Sequence, residues 1–291
     1  MIASRAGSTE PLVGRLKARF RAENGEEAIE KFVSGILAEA GQESLPIRVA
    51  AVASFLGISC RSGSFPFAGR IYSEPSGQLV MDLNSDDNKA RQRFTCGHEI
   101  VHTAFPGFTR EARYRVDVSV GHNLPGRSEE EYLCDFGASL LLMPAELIKD
   151  RYRLEKGLKT IEQLANDAQV SLEAAGNRLV GISGRPAAFL VLEVGHKPAD
   201  ARAIRQGLKV EPKLRVRYGT LNGIRGYVPR FKSVPENSAY QQALLKRSIV
   251  SAAGTLPGAD RPSFRIEAGW YPRSEGDREI PRVLAVALPL Q

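Results

Sequence analysis

Five consecutive residues, His98-Glu99-Ile100-Val101-His102, carry the clearest chemistry in the sequence. Residues four apart on a helix lie one turn apart on the same face, so both imidazoles can hold one divalent ion. Glu99 lies round the helix from the pair, where it can reach a water on the metal instead of the metal itself. Zinc in such a site is a Lewis acid and lowers the pKa of its water. The carboxylate can take that water's proton and pass it to a leaving amine, which is the chemistry of peptide hydrolysis. The bland alternative is a pair of surface or core histidines. However, two of the chain's four histidines fall in this pattern, and Phe94, Gly97, Val101 and Ala104 form an apolar stripe that would hold the pair against a core.

A catalytic zinc needs a third protein ligand and an open position. The best candidate is Glu131, with Glu130 and His122 in reserve. Asp135, one helical turn after Glu131, is placed to accept a hydrogen bond from a ligand histidine and so fix its ring. Glu131 has a second reading as well. Ser128-Glu129-Glu130-Glu131 has the form of a capping box, in which Glu131 reaches back to its own helix start. His122, Tyr114 and Tyr132 are candidates for donors to a reaction oxyanion, with nothing to choose among them. An extended substrate could pair with an exposed strand edge beside the metal. The candidate edge is Leu79, Val80, Met81, Asp82 and Leu83, an interior strand being the equal alternative.

These residues need elements to position them. Residues 1–25 read as a loose polar lead-in. Residues 26–40 have helical apolar spacing and stop at Gly41, and a second helix opens at Pro46 and stops at Gly57. GRIYS and QLVMDL read as strands joined by the turn Glu74-Pro75-Ser76-Gly77. Asp86, Asp87 and Asn88 offer caps for a helix from Lys89 to Phe105. A charged connection then runs to Gly126, and a helix follows from Ser128 through Leu142. Two short helices over 160–182, capped by Thr160 and Ser171, have helix-turn-helix-like spacing. After a linker at Gly184-Arg185-Pro186 the texture changes to strands: AFLVLEV, LRVRYGT, FRIEAGW and RVLAVALPL, interrupted by one helix over Glu236–Ala253.

Bulk properties narrow the class. A chain of 291 residues with 43% hydrophobic and 25% charged residues fits two ordinary globular domains. The three cysteines, Cys60, Cys96 and Cys134, show no mutual ligand spacing and read as reduced thiols. With no apolar leader and no run long enough for a membrane helix, the expected location is the cytoplasm. The net charge of +7 is uneven. Residues 185–291 hold 18 Lys/Arg against 9 Asp/Glu, leaving 22 against 24 for residues 1–184. The stretch 202–232 has nine basic residues and one acid, Glu211, which suits DNA or another acidic partner, or else is a solvated basic surface. Tyr218, Tyr227 and Phe231 are interleaved with those cations. Between Thr160 and Ile182 the only basic residue is Arg178, which argues against an independent DNA reader there.

The segment Arg91-Gln92-Arg93-Phe94-Thr95-Cys96-Gly97-His98-Glu99-Ile100-Val101-His102 resembles the RQRFT-x-x-HExxH helix of the ImmA/IrrE family of metallopeptidases. Glu131-x-x-Cys134-Asp135-x-x-Ala138, followed by Leu141-Leu142-Met143-Pro144, resembles its second motif. The resemblance covers about residues 45–185. Cys96 and Cys134 stand where the family has small residues, and Ile100-Val101 replaces the commoner Leu-Gly. Cys134 is three residues from Glu131, so a redox or fourth-ligand role stands beside the commoner packing one.

The resemblance implies an α+β fold. A zincin-like helical metallopeptidase core with a small β-sheet would occupy 26–157, and a helix-turn-helix-like segment 158–185. A C-terminal α/β sensor domain over 187–291 would be GAF-like by length and order of elements alone. It further implies His98, His102 and Glu131 as ligands of Zn²⁺, with Mn²⁺ as the other metal to consider. The implied substrate is a helix-turn-helix repressor whose cleavage switches on stress or mobile-element genes. The rival readings are a zinc-containing transcription regulator and a toxin–antitoxin component, each acting by binding alone. The presence of Glu99 favours the enzyme, because a structural zinc has no use for a general base.

Overall fold

The computed structural model describes residues 12–108, 113–115, 128–259, 264–275 and 278–290. The chain divides into two compact units, one formed by 1–147 with 167–171 and the other by 148–166 with 172–291.

The first unit begins with helix α1 (Leu12–Phe20), where a loose lead-in is expected from the sequence. The helix forms because Leu16 is fully buried and Phe20 meets Phe32 edge-on, with ring centroids 5.9 Å apart. Helix α2 (Gly25–Glu39) is capped by Asn24, whose side chain accepts from the Glu27 N–H, and Gly41 ends it at φ +60°. Helix α3 (Val49–Phe55) ends before Gly57, also at positive φ.

Strands β1 (Ile58–Gly63), β2 (Gly69–Ser73) and β3 (Leu79–Asn84) follow. Helix α4 (Lys89–His102), strand β4 (Arg113–Arg115), helix α5 (Glu129–Leu142) and the single turn α6 (Ala145–Ile148) come next. The sheet order is β1-β3-β2-β4, with β1 and β3 parallel and the other pairs antiparallel.

This order corrects the expected substrate edge. Leu79–Leu83 hydrogen-bonds to β1 on one side and β2 on the other, and Val80, Met81 and Asp82 are buried. Asp82 forms a cross-strand ion pair at 2.7 Å with Arg70, directly opposite it in register. Among the described residues the outer strands are β1 and β4. The polar, largely exposed sequence of β1 carries no alternating pattern to announce a strand.

Small residues let the layers approach. A Cβ on Gly69 of β2 would stand 2.3 Å from the Thr95 methyl of α4. One on Gly137 of α5 would stand 2.7 Å from Val101 of α4 and 2.7 Å from Ile29 of α2. Gly97 of α4 leaves its own Cβ position 3.5 Å from the Cβ of Ala138. Arg19 of α1 donates to the Thr103 and Ala104 carbonyls, placing a cation at the C-terminus of α4.

The second unit holds helices α7 (Leu158–Ala168, its last residues counted with the first unit) and α8 (Leu172–Gly181). Strand β5 (Ala187–Gly195), the short helix α9 (Ala201–Arg205), strand β6 (Lys213–Asn222) and helix α10 (Ala239–Lys246) follow. Strands β7 (Val250–Gly254), β8 (Phe264–Trp270), β9 (Arg273–Glu275), β10 (Arg278–Ile280) and β11 (Arg282–Pro289) complete it. The five-stranded sheet runs β6-β5-β11-β8-β7, with every pair antiparallel. It is thus an antiparallel sheet with helices, where an α/β arrangement is expected from the sequence.

Ala188, Leu190 and Leu192 of β5 join Tyr240 and Ala243 of α10 in one core. The alternate residues Ala187, Phe189 and Val191 are buried too, and Gly176 of α8 lies against the Phe189 ring. Burial on both faces explains the continuous apolar run.

The expected boundary at 185–187 is therefore corrected. Helix α8 packs on the sheet, with Glu173 accepting from Tyr218 at 2.6 Å and Asn177 accepting from Thr220 at 2.8 Å. The helix expected to reach Ala253 stops at Lys246, where Arg247 turns left-handed at φ 49°, and the alanine-rich β7 pairs with β8.

Candidate metal centre

The centre lies on two helices, α4 and α5. Asn88 starts α4 by accepting from the Arg91 N–H at 3.0 Å. The helix then carries His98, Glu99 and His102 inward, with relative exposures of 0%, 0% and 2%. These are not surface histidines. Their ring centroids are 5.0 Å apart, as the one-turn spacing requires. Helix α5 starts at Ser128, whose Oγ accepts from the Glu131 N–H at 3.2 Å. Half of the anticipated capping box is therefore present.

The Glu131 side chain approaches the histidines. Its Oε2 lies 3.4 Å from His98 Nε2 and its Oε1 3.6 Å from His102 Nε2. Burial alone would raise its pKa, but the bond from His98 and the charges of both imidazoles outweigh that and hold it below the usual value.

The opposite edges of the two rings are also engaged. His98 Nδ1 lies 2.7 Å from Asp135 Oδ1, and His102 Nδ1 lies 3.1 Å from Glu130 Oε1. With a carboxylate at each Nδ1, a bound ion would find the remaining ring proton held there and each Nε2 available to it beside Glu131. Two ligands about 2.1 Å from a tetrahedral ion stand about 3.4 Å apart, which matches the His–Glu131 separations. Two imidazole nitrogens and one carboxylate form a donor set that zinc accepts.

A competing set exists. His98, His102 and Cys134 also bring ligand atoms within 4.8 Å of one another. Cys134 Sγ, however, lies 3.4 Å from His102 Nδ1, on the ring edge turned toward Glu130. One ion cannot take Nε2 and also the sulfur beside Nδ1 of the same ring. The convergence at Nε2 therefore favours Glu131.

Glu130, a reserve ligand from the sequence alone, faces His102 Nδ1 instead. Its signal was available in the helical period. Glu130 and Cys134 are four apart and meet His102, while Glu131 and Asp135 are four apart and meet His98.

Among the candidate oxyanion donors, His122 lies outside the described residues. Tyr114 is on β4 opposite Arg70. Tyr132 is corrected: its hydroxyl donates to Glu26 of α2 and its ring stacks on Phe136, so that proton is committed within the helix packing.

Known proteins resemble the stretch of chain that carries this centre. Residues 58–180 match the Peptidase_M78 family, described as the IrrE N-terminal-like domain. The radiation response metalloprotease IrrE of Deinococcus deserti is 34% identical over 119 residues, covering 40% of this chain and 41% of that protein. The protein of the same name from Deinococcus radiodurans is 25% identical over 222 residues, covering 75% of this chain and 64% of that one. The chain thus spans less than two thirds of either relative. A solved Mycobacterium tuberculosis transcriptional regulator shares the fold at a TM-score of 0.54 and 12% identity, over 91% of this chain and 76% of that one.

Proposed function

The chain belongs to the ImmA/IrrE family through its 58–180 domain, and we propose that it is a zinc-dependent endopeptidase acting on a helix-turn-helix repressor protein. The observation that carries this reading is the convergence of His98 Nε2, His102 Nε2 and the Glu131 carboxylate, with acids behind both rings. Bound zinc, or manganese in its place, would supply Lewis acidity to the scissile carbonyl and the attacking water.

The remaining work belongs to the chain. Glu99, fully buried on α4, takes the proton of the attacking water and delivers it to the amine released when the peptide C–N bond breaks. Asp135 and Glu130 hold the ligand rings in one tautomer. A substrate in extended form would add to a free sheet edge, for which β1 and β4 are the candidates.

Cleavage of a repressor would release stress or mobile-element genes. The name of the two Deinococcus relatives, radiation response metalloprotease, supports a stress setting. The five-stranded antiparallel sheet of the second unit, with its core against α10, supports a GAF-like sensor. Three free cysteines fit a cytoplasmic setting, and no helix among the described residues is long and apolar enough to cross a membrane.

The test is incubation of the zinc-loaded chain with candidate helix-turn-helix repressors from its source organism, followed by intact mass spectrometry. A discrete pair of fragments is expected, absent with Glu99→Gln at unchanged zinc content. An uncut repressor bound equally well by wild type and Glu99→Gln would replace the enzyme with a binding regulator.

A further inference from the structure

Cys60 and Cys96 supply no ligand to the metal centre, yet the fold of the first unit brings them together. Cys60 is on the outer strand β1 and Cys96 on α4. The sheet face settles how they meet. In register, Cys60 stands beside Met81 of β3, and Met81 beside Ile71 of β2. Residues in register across a sheet point to the same face, and so do residues two apart on one strand. Gly69 of β2 therefore shares this face, and a Cβ on it would stand 2.3 Å from the Thr95 methyl of α4. The row Ile71, Met81, Cys60 thus faces α4, with Ile71 and Met81 buried. Cys96 follows Thr95 on the helix, and its thiol hydrogen-bonds with that of Cys60.

The two thiols differ in access. Cys60 is exposed, since no strand lies beyond β1 among the described residues, whereas Cys96 is buried. The third cysteine, Cys134, is buried on α5 with its sulfur 3.4 Å from His102 Nδ1. An exposed thiol with a second thiol poised against it is the arrangement of an attacking and a resolving cysteine. The hydrogen bond from Cys96 also holds the Cys60 thiol below its ordinary pKa, although partial burial opposes it. A larger thiolate fraction favours Cys60 as the attacking sulfur. A pair that served packing alone would have no need of one member in solvent.

We propose that Cys60 and Cys96 form a reversible disulfide when the protein meets hydrogen peroxide. The Cys60 sulfur attacks one peroxide oxygen, the O–O bond breaks, and the other oxygen leaves as water. The sulfenic acid on Cys60 is then attacked by the Cys96 sulfur. Its S–O bond breaks, the S–S bond forms, and a second water leaves. The two thiols together lose two protons and two electrons, and these reduce one peroxide to two waters. A dithiol reductant reverses the step by exchange. The bond ties the outer strand to the helix that carries His98, Glu99 and His102. Neither zinc nor peptide cleavage enters the reaction, so the proposal stands apart from the peptidase reading.

The test uses the full zinc-loaded chain treated with a small excess of hydrogen peroxide. Free thiols are then alkylated in denaturant with iodoacetamide, and the chain is digested without reductant for mass spectrometry. Free thiols should fall from three to one, Cys134 alone being alkylated. The peptides that hold Cys60 and Cys96 should appear as one species, about 2 Da lighter than their sum. Dithiothreitol should return all three thiols. Cys60→Ser, an exposed change, should leave Cys96 and Cys134 both free after the same treatment. The proposal is overturned if all three thiols of wild type survive the peroxide. It is equally overturned if Cys60 advances to sulfinic acid while Cys96 is alkylated, if Cys60 is found joined to Cys60 of a second chain, or if Cys96 is oxidised as readily in Cys60→Ser. Each readout is taken without substrate, which separates a failure here from a failure of the peptidase.

Discussion

Replacing Gly137 by alanine tests the packing that brings the two halves of the metal centre together. Its Cβ would lie 2.7 Å from Ile29 Cγ2 and 2.7 and 2.9 Å from the two Val101 methyls. These separations fall about 1 Å inside the favourable carbon–carbon range. Overpacking of this kind costs about 1–3 kcal/mol. The exchange of glycine for alanine inside a helix returns about 1 kcal/mol. The net expectation is destabilisation of up to about 2 kcal/mol.

Gly35 of α2 is the matched control, since a Cβ there meets nothing within 4 Å. Gly35→Ala should stabilise by about 0.5–1 kcal/mol. Equilibrium urea unfolding reads both variants, and a competing chromophoric chelator reads zinc affinity. Because Val101 lies between His98 and His102, pushing α5 off α4 should weaken zinc in Gly137→Ala and leave it unchanged in Gly35→Ala. Equal stabilisation by the two substitutions would refute the close α4–α5 approach on which the centre depends.

Three further outcomes follow from the same geometry. Asp135→Ala removes the acceptor 2.7 Å from His98 Nδ1 and should weaken zinc about 10- to 100-fold in chelator competition. Glu130→Ala should weaken it less, its contact with His102 being longer at 3.1 Å. Burial and the Glu26 carboxylate push the Tyr132 pKa from 10 up to about 12. The folded state therefore holds the phenol proton that the unfolded chain releases, and this contribution is present below pH 10 and lost as pH rises toward about 12. Alkaline unfolding monitored by circular dichroism should show that loss in wild type and a smaller one in Tyr132→Phe.

Much of the centre was legible in the sequence because helical period and capping are local. Asn88 and Ser128 cap the two helices as their types suggest, and the one-turn spacing of His98 and His102 survives folding. The strands of the second unit were legible from apolar runs such as that at 187–192, buried on both sides. What escaped was non-local. β1 is polar and exposed, so nothing in it announces that it will cover β3 and remove that strand from the edge. β7 is alanine-rich and reads as helix until pairing with β8 decides otherwise. The boundary near residue 185 looked like a linker, although α8 has its polar partners on the sheet beyond it. The choice between capping and ligation at Glu131 needed the position of α4, which no residue of α5 encodes by itself.

Zinc K-edge X-ray absorption on the full chain loaded with one equivalent of zinc asks most directly which atoms hold the metal. The account predicts a shell of nitrogen and oxygen at about 2.0–2.1 Å, with histidine scattering and no sulfur, that loses an oxygen ligand in Glu131→Ala. A sulfur shell at about 2.3 Å that disappears in Cys134→Ala would contradict it, placing the ion on the other side of His102.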